Sequence, residues 1–200
     1  MKALAFLLLA LLMAADPCLA AETNLVANGS FELSQRQPDA PDDWAAAGDA
    51  TVRQQLLLDT GRDGQRCAKL VCTEFKGDSP AAHAMICQVG KVSVRRGQWY
   101  QLTLWAREEG LRGGAIEVGL SNTRPWGNAG LADAFVAGTK WERFDFRFRA
   151  TDDLPAETSR LQFWFKSTGT LWLDDVVLSA TDSSQEWFPQ ISTAGAKNFV

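Results

Sequence analysis

The sequence contains almost no histidine, since His83 is the single one among 200 residues. A catalytic triad that needs an imidazole would have to use it, yet the chain has no Gly-x-Ser-x-Gly elbow to supply the nucleophile. Glu117, Glu142 and Asp145 could supply the paired carboxylates that hydrolyse a glycosidic bond, but no feature marks two of them as opposed. Clustered ligands for a catalytic metal are also missing. We therefore expect no catalysis within these residues and would place any catalytic domain further along a longer parent protein.

Basic residues are slightly outnumbered by acidic ones, and the chain has four cysteines. The chain has 20 Lys and Arg residues against 24 Asp and Glu residues, a formal net charge of −4. Without a basic stripe to neutralise phosphates, a nucleic-acid partner is disfavoured. The cysteine spacing matches no zinc or redox motif. A disulfide between Cys72 and Cys87 is plausible in an exported protein; equally, Cys67, Cys72 and Cys87 could all be small buried apolar groups.

The apolar run at residues 5–15 is too short to span a bilayer. Lys2 precedes it, and Cys18-Leu19-Ala20 follows with the small-x-small pattern of a cleavage site. We therefore predict a signal peptide over residues 1–21 and a secreted protein, either extracellular or periplasmic, with no membrane contact after cleavage. A lipoprotein site at Cys18 is a poorer interpretation, because Asp16-Pro17 precedes it instead of small residues.

Sustained helical periodicity is absent, and short strand-like segments are present in its place. They are rich in aromatic and β-branched residues and are separated by Gly, Pro, Asp and Asn clusters, which is typical of an all-β sandwich or barrel. Residues 122–140 are predicted to be mostly loop. The predicted strands are 52–58, 66–73, 84–94, 100–107, 115–121, 141–149 and a closing hairpin of 161–166 and 171–178.

Apolar residues occupy one face of each predicted strand, because successive side chains of a strand point to opposite sides. The consistent split predicts an all-β, two-sheet antiparallel sandwich over residues 22–180, with a shared apolar interior and polar outer faces. The polar residues 181–197 are predicted to be a linker. The chain then ends Lys197-Asn198-Phe199-Val200, which echoes Thr23-Asn24-Leu25-Val26 and suggests that a second module begins at residues 198–200.

Three motifs in this order resemble the carbohydrate-binding modules of families 4, 9 and 22, which have a galactose-binding-like jelly roll. They are Asn-Leu-Val-x-Asn-Gly-Ser-Phe-Glu at 24–32, Gly97-x-x-Tyr100-x-Leu102-x-x-Trp105 within 94–107, and aromatic-Leu-Asp-Asp-Val-x-Leu at 172–178. The resemblance covers nearly all of the mature chain. It implies a non-catalytic module that binds polysaccharide and targets an appended glycoside hydrolase to it.

Trp105 and Trp164 lie on the polar faces of their predicted strands, where an indole can stack on the apolar C–H face of a sugar. We predict that they line one concave sheet together with hydrogen-bonding residues: Gln101, Thr103, Arg107, Glu117, Gln162 and Lys166. Trp126 would close the cleft from the 122–140 loop. The predicted ligand is a plant-type β-glycan such as xylan, β-glucan or cellulose, bound by a monomeric module of a multidomain chain. The alternative is a structural spacer or protein-interaction module whose tryptophans are covered.

The resemblance also implies a structural calcium ion, which members of the group often carry where the first and last strands meet. Glu32 and Asp174 would supply carboxylates, and backbone carbonyls near Gly64 and Arg66 would supply further oxygens, the mixture that calcium prefers. In the alternative interpretation, Asp174 and Asp175 cap turns or pair with arginines at the sheet edge.

Overall fold

The computed structural model describes residues 23–182, apart from residues 49, 78 and 80. The predicted signal peptide, the predicted second module and all but the first two residues of the predicted linker lie outside the described residues. The described chain forms two five-stranded antiparallel sheets and a short 3-10 helix, Ala156–Thr158. No helix within this part of the chain has the length and apolar character needed to cross a membrane.

The ten strands are numbered in chain order and divide evenly between the two sheets. The first sheet, called sheet A, has the order β1 (Ala45–Ala47), β4 (Ala84–Val89), β9 (Ser159–Phe165), β6 (Ile116–Asn122) and β7 (Gly127–Phe135). The second sheet, called sheet B, has the order β2 (Val52–Thr60), β3 (Arg66–Phe75), β10 (Gly169–Thr181), β5 (Trp99–Glu109) and β8 (Glu142–Arg149).

The core lies between the sheets and is built by side-chain alternation. On β5, Tyr100, Leu102 and Leu104 are buried, whereas the residues between them are half-buried on the opposite side. On β9, Phe163 and Phe165 are buried in the same core. Because each strand contributes one apolar row, two sheets can bury these rows against each other. The predicted antiparallel β-sandwich is therefore confirmed.

The predicted closing hairpin is wrong, because β9 and β10 belong to different sheets. β9 pairs with β4 and β6, whereas β10 pairs with β3 and β5. The short connection carries the chain across the sandwich through Gly169, whose φ is +134°. A Cβ at this position would lie 2.7–2.9 Å from Leu111 and Gly110, so only glycine fits this crossing.

The segment 122–140 is not mostly loop, because β7 occupies its centre. This strand is rich in Gly, Ala and Asn, residues of low β-propensity, which is why its sequence resembles a loop. β7 is an edge strand that pairs with β6. The three-residue strand β1 was likewise not expected, and it follows Trp44, whose ring packs 5.2 Å from that of Phe31.

The plausible Cys72–Cys87 disulfide does not form. Cys67, Cys72 and Cys87 are all free and buried. Cys72 belongs to sheet B and Cys87 to sheet A, so the two residues are not on neighbouring strands. Burial raises the pKa of the Cys67 thiol to about 12, and it also raises those of the other two thiols. The three side chains are therefore protonated apolar groups, which is the other interpretation that the sequence allows.

Candidate functional site

The predicted sugar-binding residues fall on two opposite sides of the molecule. Sheet A carries Trp164 and Gln162 on β9, Glu117 on β6 and Trp126 in the turn between β6 and β7. Sheet B carries Gln101, Trp105 and Arg107 on β5. The outer faces of a sandwich point away from each other, so the prediction that all these residues line one sheet is wrong. The alternation of side chains along a strand distinguishes inward from outward residues but contains no information about which sheet the strand joins.

The sandwich has two outer surfaces. The Trp164 face consists of Arg160, Gln162 and Trp164 of β9 and Glu117, Gly119 and Ser121 of β6. The Trp172 face consists of Lys69 of β3, Trp172 and Asp174 of β10 and Trp105 and Arg107 of β5.

The indole of Trp164 lies against the backbone of Gly119. A Cβ placed on this glycine would be 3.3 Å from two carbons of the six-membered ring, so the side chain leaves no space for a larger residue without moving. Trp164 is half-buried, and it pairs across the sheet with Glu117. The glycine therefore holds the indole on the β6 side, Met85 of β4 is its neighbour on the other side, and part of the ring remains exposed.

A chain of hydrogen bonds orients the polar groups beside Trp164. Arg160 Nε donates to Gln162 Oε1 at 2.6 Å, and Gln162 Nε2 donates to Ser121 Oγ at 3.4 Å. The Gln162 side chain is only 9% exposed despite its outward direction. These contacts determine the orientation of the amide and hold the guanidinium plane, which is the preorganisation that a binding surface needs.

Trp126 stands at the other end of the Trp164 face. It is 65% exposed, and its φ of +54° lies in the left-handed region that disfavours residues other than glycine. The guanidinium of Arg160 lies 5.1 Å from the centroid of its ring. Arg160 and Trp164 are four residues apart on β9, a separation of about 13 Å at the usual rise of a strand. The two indoles therefore mark the ends of one elongated surface.

On the Trp172 face, the predicted sugar-binding residues contact other groups of the protein. The guanidinium of Arg62 lies 4.5 Å from the ring of Trp105. That of Arg107 lies 3.8 Å from the ring of Trp172. Gln101, further along the same strand, donates from Nε2 to an oxygen of Asp145 at 2.9 Å. Each cation covers one face of its ring, and Trp172 is only 4% exposed, so little of its indole is left for a sugar on this surface.

The indole of Trp172 is also held by its nitrogen. Trp172 Nε1 donates to Asp59 Oδ2 at 3.0 Å, and the same oxygen lies 3.0 Å from Lys69 Nζ. The indole N–H, followed by the lysine, lowers the pKa of the Asp59 carboxyl to about 2. With 4% of its surface exposed, Trp172 has a structural role in sheet B.

Three of the predicted calcium ligands meet near the start of β3. The carbonyl oxygen of Arg66 and Asp174 Oδ2 both lie 2.7 Å from the point where a Cβ on Gly61 would stand, so these two oxygens converge. Glu32 Oε1 accepts the backbone N–H of Arg66 at 2.8 Å. Gly64 lies in the exposed turn before β3 and has no neighbour within 4 Å of an added Cβ. The converging oxygens fit the chemistry that calcium prefers.

The two adjacent aspartates have different surroundings. Asp174 is 3% exposed, and burial raises the pKa of its carboxyl to about 6 although its oxygens accept two backbone N–H groups. Asp175 pairs with Arg62 at 2.9 Å, as the alternative interpretation predicts for it. Within residues 23–182 as described, no group of three or more His, Cys, Asp or Glu side chains is arranged to hold a metal ion. Any cation here would depend on backbone oxygens as well.

Comparisons with known proteins bear on the fold. No family model matches the chain, and no curated protein matches it. The N-terminal cellulose-binding domain of β-1,4-glucanase C from Cellulomonas fimi aligns with a TM-score of 0.54 at 19% identity, over 78% of this chain and 96% of that domain. The CBM22-1–GH10 modules of Clostridium thermocellum endo-1,4-β-D-xylanase 10B, complexed with xylohexaose, align with a TM-score of 0.54 at 15% identity, over 80% of this chain and 29% of that chain.

The same architecture also occurs in a protein of another kind. A cyclase from Fischerella sp. TAU, in complex with 4-(1H-indol-3-yl)butan-2-one, aligns with a TM-score of 0.55 at 16% identity, over 78% of this chain and 96% of that one. At such identities the likeness concerns the fold, and one fold can support several functions. The resemblance to carbohydrate-binding modules that the sequence motifs indicate is therefore confirmed at the level of the fold.

Proposed function

We propose that this chain is a non-catalytic carbohydrate-binding module whose Trp164 face binds a plant-type β-glycan such as xylan, β-glucan or cellulose. The observation that carries the proposal is the arrangement of this face. Trp126 and Trp164 stand at its two ends, and the hydrogen-bonded Arg160, Gln162 and Ser121 lie between them. Indoles stack on the C–H faces of sugars, while amide, hydroxyl and guanidinium groups bind sugar hydroxyls.

The fold comparisons support this assignment because two of the aligned structures are a cellulose-binding domain and modules complexed with xylohexaose. We extend the proposal to a secreted protein in which the module is monomeric and targets an appended glycoside hydrolase to polysaccharide. The Trp164 face includes one carboxylate, Glu117, whereas most glycosidases use an opposed pair. This is consistent with binding without hydrolysis.

We also propose a structural calcium ion held by Asp174, the Arg66 carbonyl and Glu32. When bound, the ion would neutralise a buried carboxylate and link the start of β3 to β10. The convergence of Asp174 Oδ2 and the Arg66 carbonyl oxygen supports this site. The raised pKa of Asp174 reflects a burial cost that a cation would offset.

The test of the glycan proposal is calorimetry and affinity electrophoresis of the full exported chain with xylan, mixed-linkage β-glucan and soluble cellulose derivatives. We expect Trp164→Ala and Trp126→Ala each to weaken binding at least about tenfold, because truncated aromatic anchors commonly cost more than about 1.4 kcal/mol. Trp105→Ala, on the opposite face, is the matched control and should bind normally. Circular dichroism establishes that each variant is folded.

Unchanged binding by both Trp164→Ala and Trp126→Ala would contradict the Trp164 face as the site. Loss of binding only in Trp105→Ala would transfer the site to the Trp172 face. Failure of the parent chain to bind any of the polysaccharides would favour the alternative of a structural or protein-interaction module.

A further inference from the structure

Arg160 lies on β9, the central strand of sheet A, at the end of the Trp164 face near Trp126. It pairs with Val89 of β4 on one side and with Ser121 of β6 on the other. Its guanidinium is half-buried between the ring of Trp126, 5.1 Å away, and the amide of Gln162, to which its Nε donates at 2.6 Å. The side chain is therefore held in one orientation by an aromatic ring and a hydrogen bond.

The charge of Arg160 is not neutralised by the protein. Among the described residues no carboxylate lies within ion-pair distance of it, although seven ion pairs form elsewhere, including those of Arg62, Arg96 and Arg143. Its two terminal nitrogens donate to no acceptor within this part of the chain, since the bond from Nε to Gln162 is the one that the side chain makes. A fixed guanidinium with both terminal nitrogens available remains at the surface.

The surroundings of Arg160 add positive charge. Arg124 is exposed in the same turn as Trp126, and within the described residues it too makes no ion pair. Glu117, the carboxylate of the Trp164 face, pairs with Trp164 at the other end, about 13 Å away along the strands. The end of the face at Trp126 therefore carries two arginines without an ion pair to any described residue, with Glu157 exposed in the preceding 3-10 helix, whereas the end at Trp164 carries Glu117 and is followed by the exposed Lys166.

A guanidinium in this state matches a particular ligand chemistry. Its planar fork binds a carboxylate through two parallel hydrogen bonds, and such charge-assisted bonds are roughly twice as strong as bonds between neutral groups. A neutral sugar hydroxyl would satisfy the hydrogen bonds of Arg160 but would leave its charge without a counter-ion. A carboxylate satisfies both, and Gln162 already holds the plane of the fork.

We infer that the Trp164 face selects acidic glycans, with the carboxylate of a uronic acid residue bound by Arg160 while a sugar ring stacks on Trp126. This inference rests on the proposed function and refines its ligand class. A β-linked chain that carries uronic acids as backbone or side-chain residues fits the face better than its neutral counterpart. The preference weakens as salt is added, because the ligand contact is between opposite charges near the surface.

The experiment compares ligands that differ only in the carboxylate. One pair is a cello-oligosaccharide and its C6-oxidised counterpart of equal length, which is a β-1,4-linked glucuronate chain. The other pair is glucuronoxylan before and after chemical reduction of its carboxylates. In at least one of the two pairs, calorimetry of the full chain should give an affinity at least about tenfold higher for the acidic ligand than for its neutral counterpart. This is the difference expected for a charge-assisted bond worth about 1.4 kcal/mol.

Two variants separate recognition of the carboxylate from support of Trp126. Arg160→Gln should remove the preference for the acidic ligand, so that the ratio of the two affinities approaches one. Arg160→Lys keeps the positive charge but lacks the planar guanidinium, so it should retain part of the preference for the acidic ligand. The ratio of acidic to neutral affinity is the readout, because a displaced Trp126 would weaken the binding of both ligands equally.

An acidic-to-neutral ratio near one in the parent chain would overturn the inference while leaving the proposed function intact, since both ligands would still bind. A ratio that persists in Arg160→Gln would assign the preference to another residue and would also overturn it. Absence of binding to every ligand in both pairs would contradict the proposed function itself.

Discussion

The two outer faces of the sandwich carry similar side chains but differ in what contacts the indoles. On the Trp172 face, Arg107 lies 3.8 Å over Trp172, so a cation of the protein occupies the ring. On the Trp164 face, Trp164 rests on the backbone at Gly119, and Trp126 remains 65% exposed. Outward direction alone therefore does not make an indole available. An indole can bind a ligand only where enough of its ring stays exposed. Trp126 is 65% exposed even with the Arg160 guanidinium 5.1 Å from its ring centroid, whereas Trp172 is 4% exposed.

The largest expected effect tests the structural role of the Trp172 face. Trp172 is 4% exposed although it points outward, because Arg107 and Lys69 cover its ring. Trp172→Ala should lower the free energy of unfolding by about 3 kcal/mol or more, since it leaves a cavity and removes the indole N–H that Asp59 accepts beside Lys69. Trp126→Ala is the matched control on the other face and should change it by less than about 0.5 kcal/mol. Urea denaturation measures both.

If the two tryptophan variants proved equally stable, the division into a structural face and an available face would be wrong. Glycan affinity offers an independent check on the same pair of proteins. At temperatures where Trp172→Ala is folded, it should bind like the parent, whereas Trp126→Ala should not.

An intermediate effect concerns the proposed calcium ion beside the Trp172 face. Calcium at about 100 times its dissociation constant should raise the free energy of unfolding by about 2.7 kcal/mol. Asp174→Asn should lose most of this gain, because the variant lacks the buried charge that attracts the ion. Thermal unfolding in calcium and in chelator provides the measurement. Glycan binding by the distant Trp164 face should be unaffected by chelation in a folded sample.

An equal response of the parent and Asp174→Asn to calcium would remove Asp174 from the site. Asp175→Asn is a suitable control, because this neighbouring carboxylate pairs with Arg62 and is not among the converging oxygens.

The smallest effect is a pH dependence at Asp59. Its carboxyl pKa is lowered to about 2 from 3.8 by the indole N–H of Trp172 and by Lys69. Because the folded pKa lies below that of the unfolded chain, the carboxylate stabilises the fold above about pH 4, and this contribution is lost as the pH falls towards 2. The side chain is 34% exposed, so solvent screening limits the contribution to about 1 kcal/mol.

Denaturation of the parent and Asp59→Asn across this pH range measures the contribution as a difference between two proteins. The difference should be present near neutral pH and should vanish in acid. A difference that did not change with pH would show that the indole and Lys69 do not hold the ionised form.

Much of the fold could be predicted from the sequence, while the site could be predicted only in part. The alternating residues of β5 and β9 indicate which side chains face inward, and the structure agrees for Tyr100, Leu102, Phe163 and Phe165. The sequence does not predict the edge strand β7. Its Gly, Ala and Asn residues have low β-propensity, and the strand joins the sheet through backbone pairing with β6. Arg160 was not predicted as a site residue. It is two residues from Gln162 and therefore lies on the same face of the strand, which was a usable signal.

The sequence by itself determined the all-β class and the inward or outward direction of each strand residue, because alternation is a local property of an extended chain. Only the tertiary structure decided which strands share a sheet. β9 pairs with β4 and β6, and β10 pairs with β3 and β5, all through hydrogen bonds to distant segments. Trp105 and Trp164 consequently lie on opposite sides of the molecule, since the local pattern of a strand does not specify its neighbours.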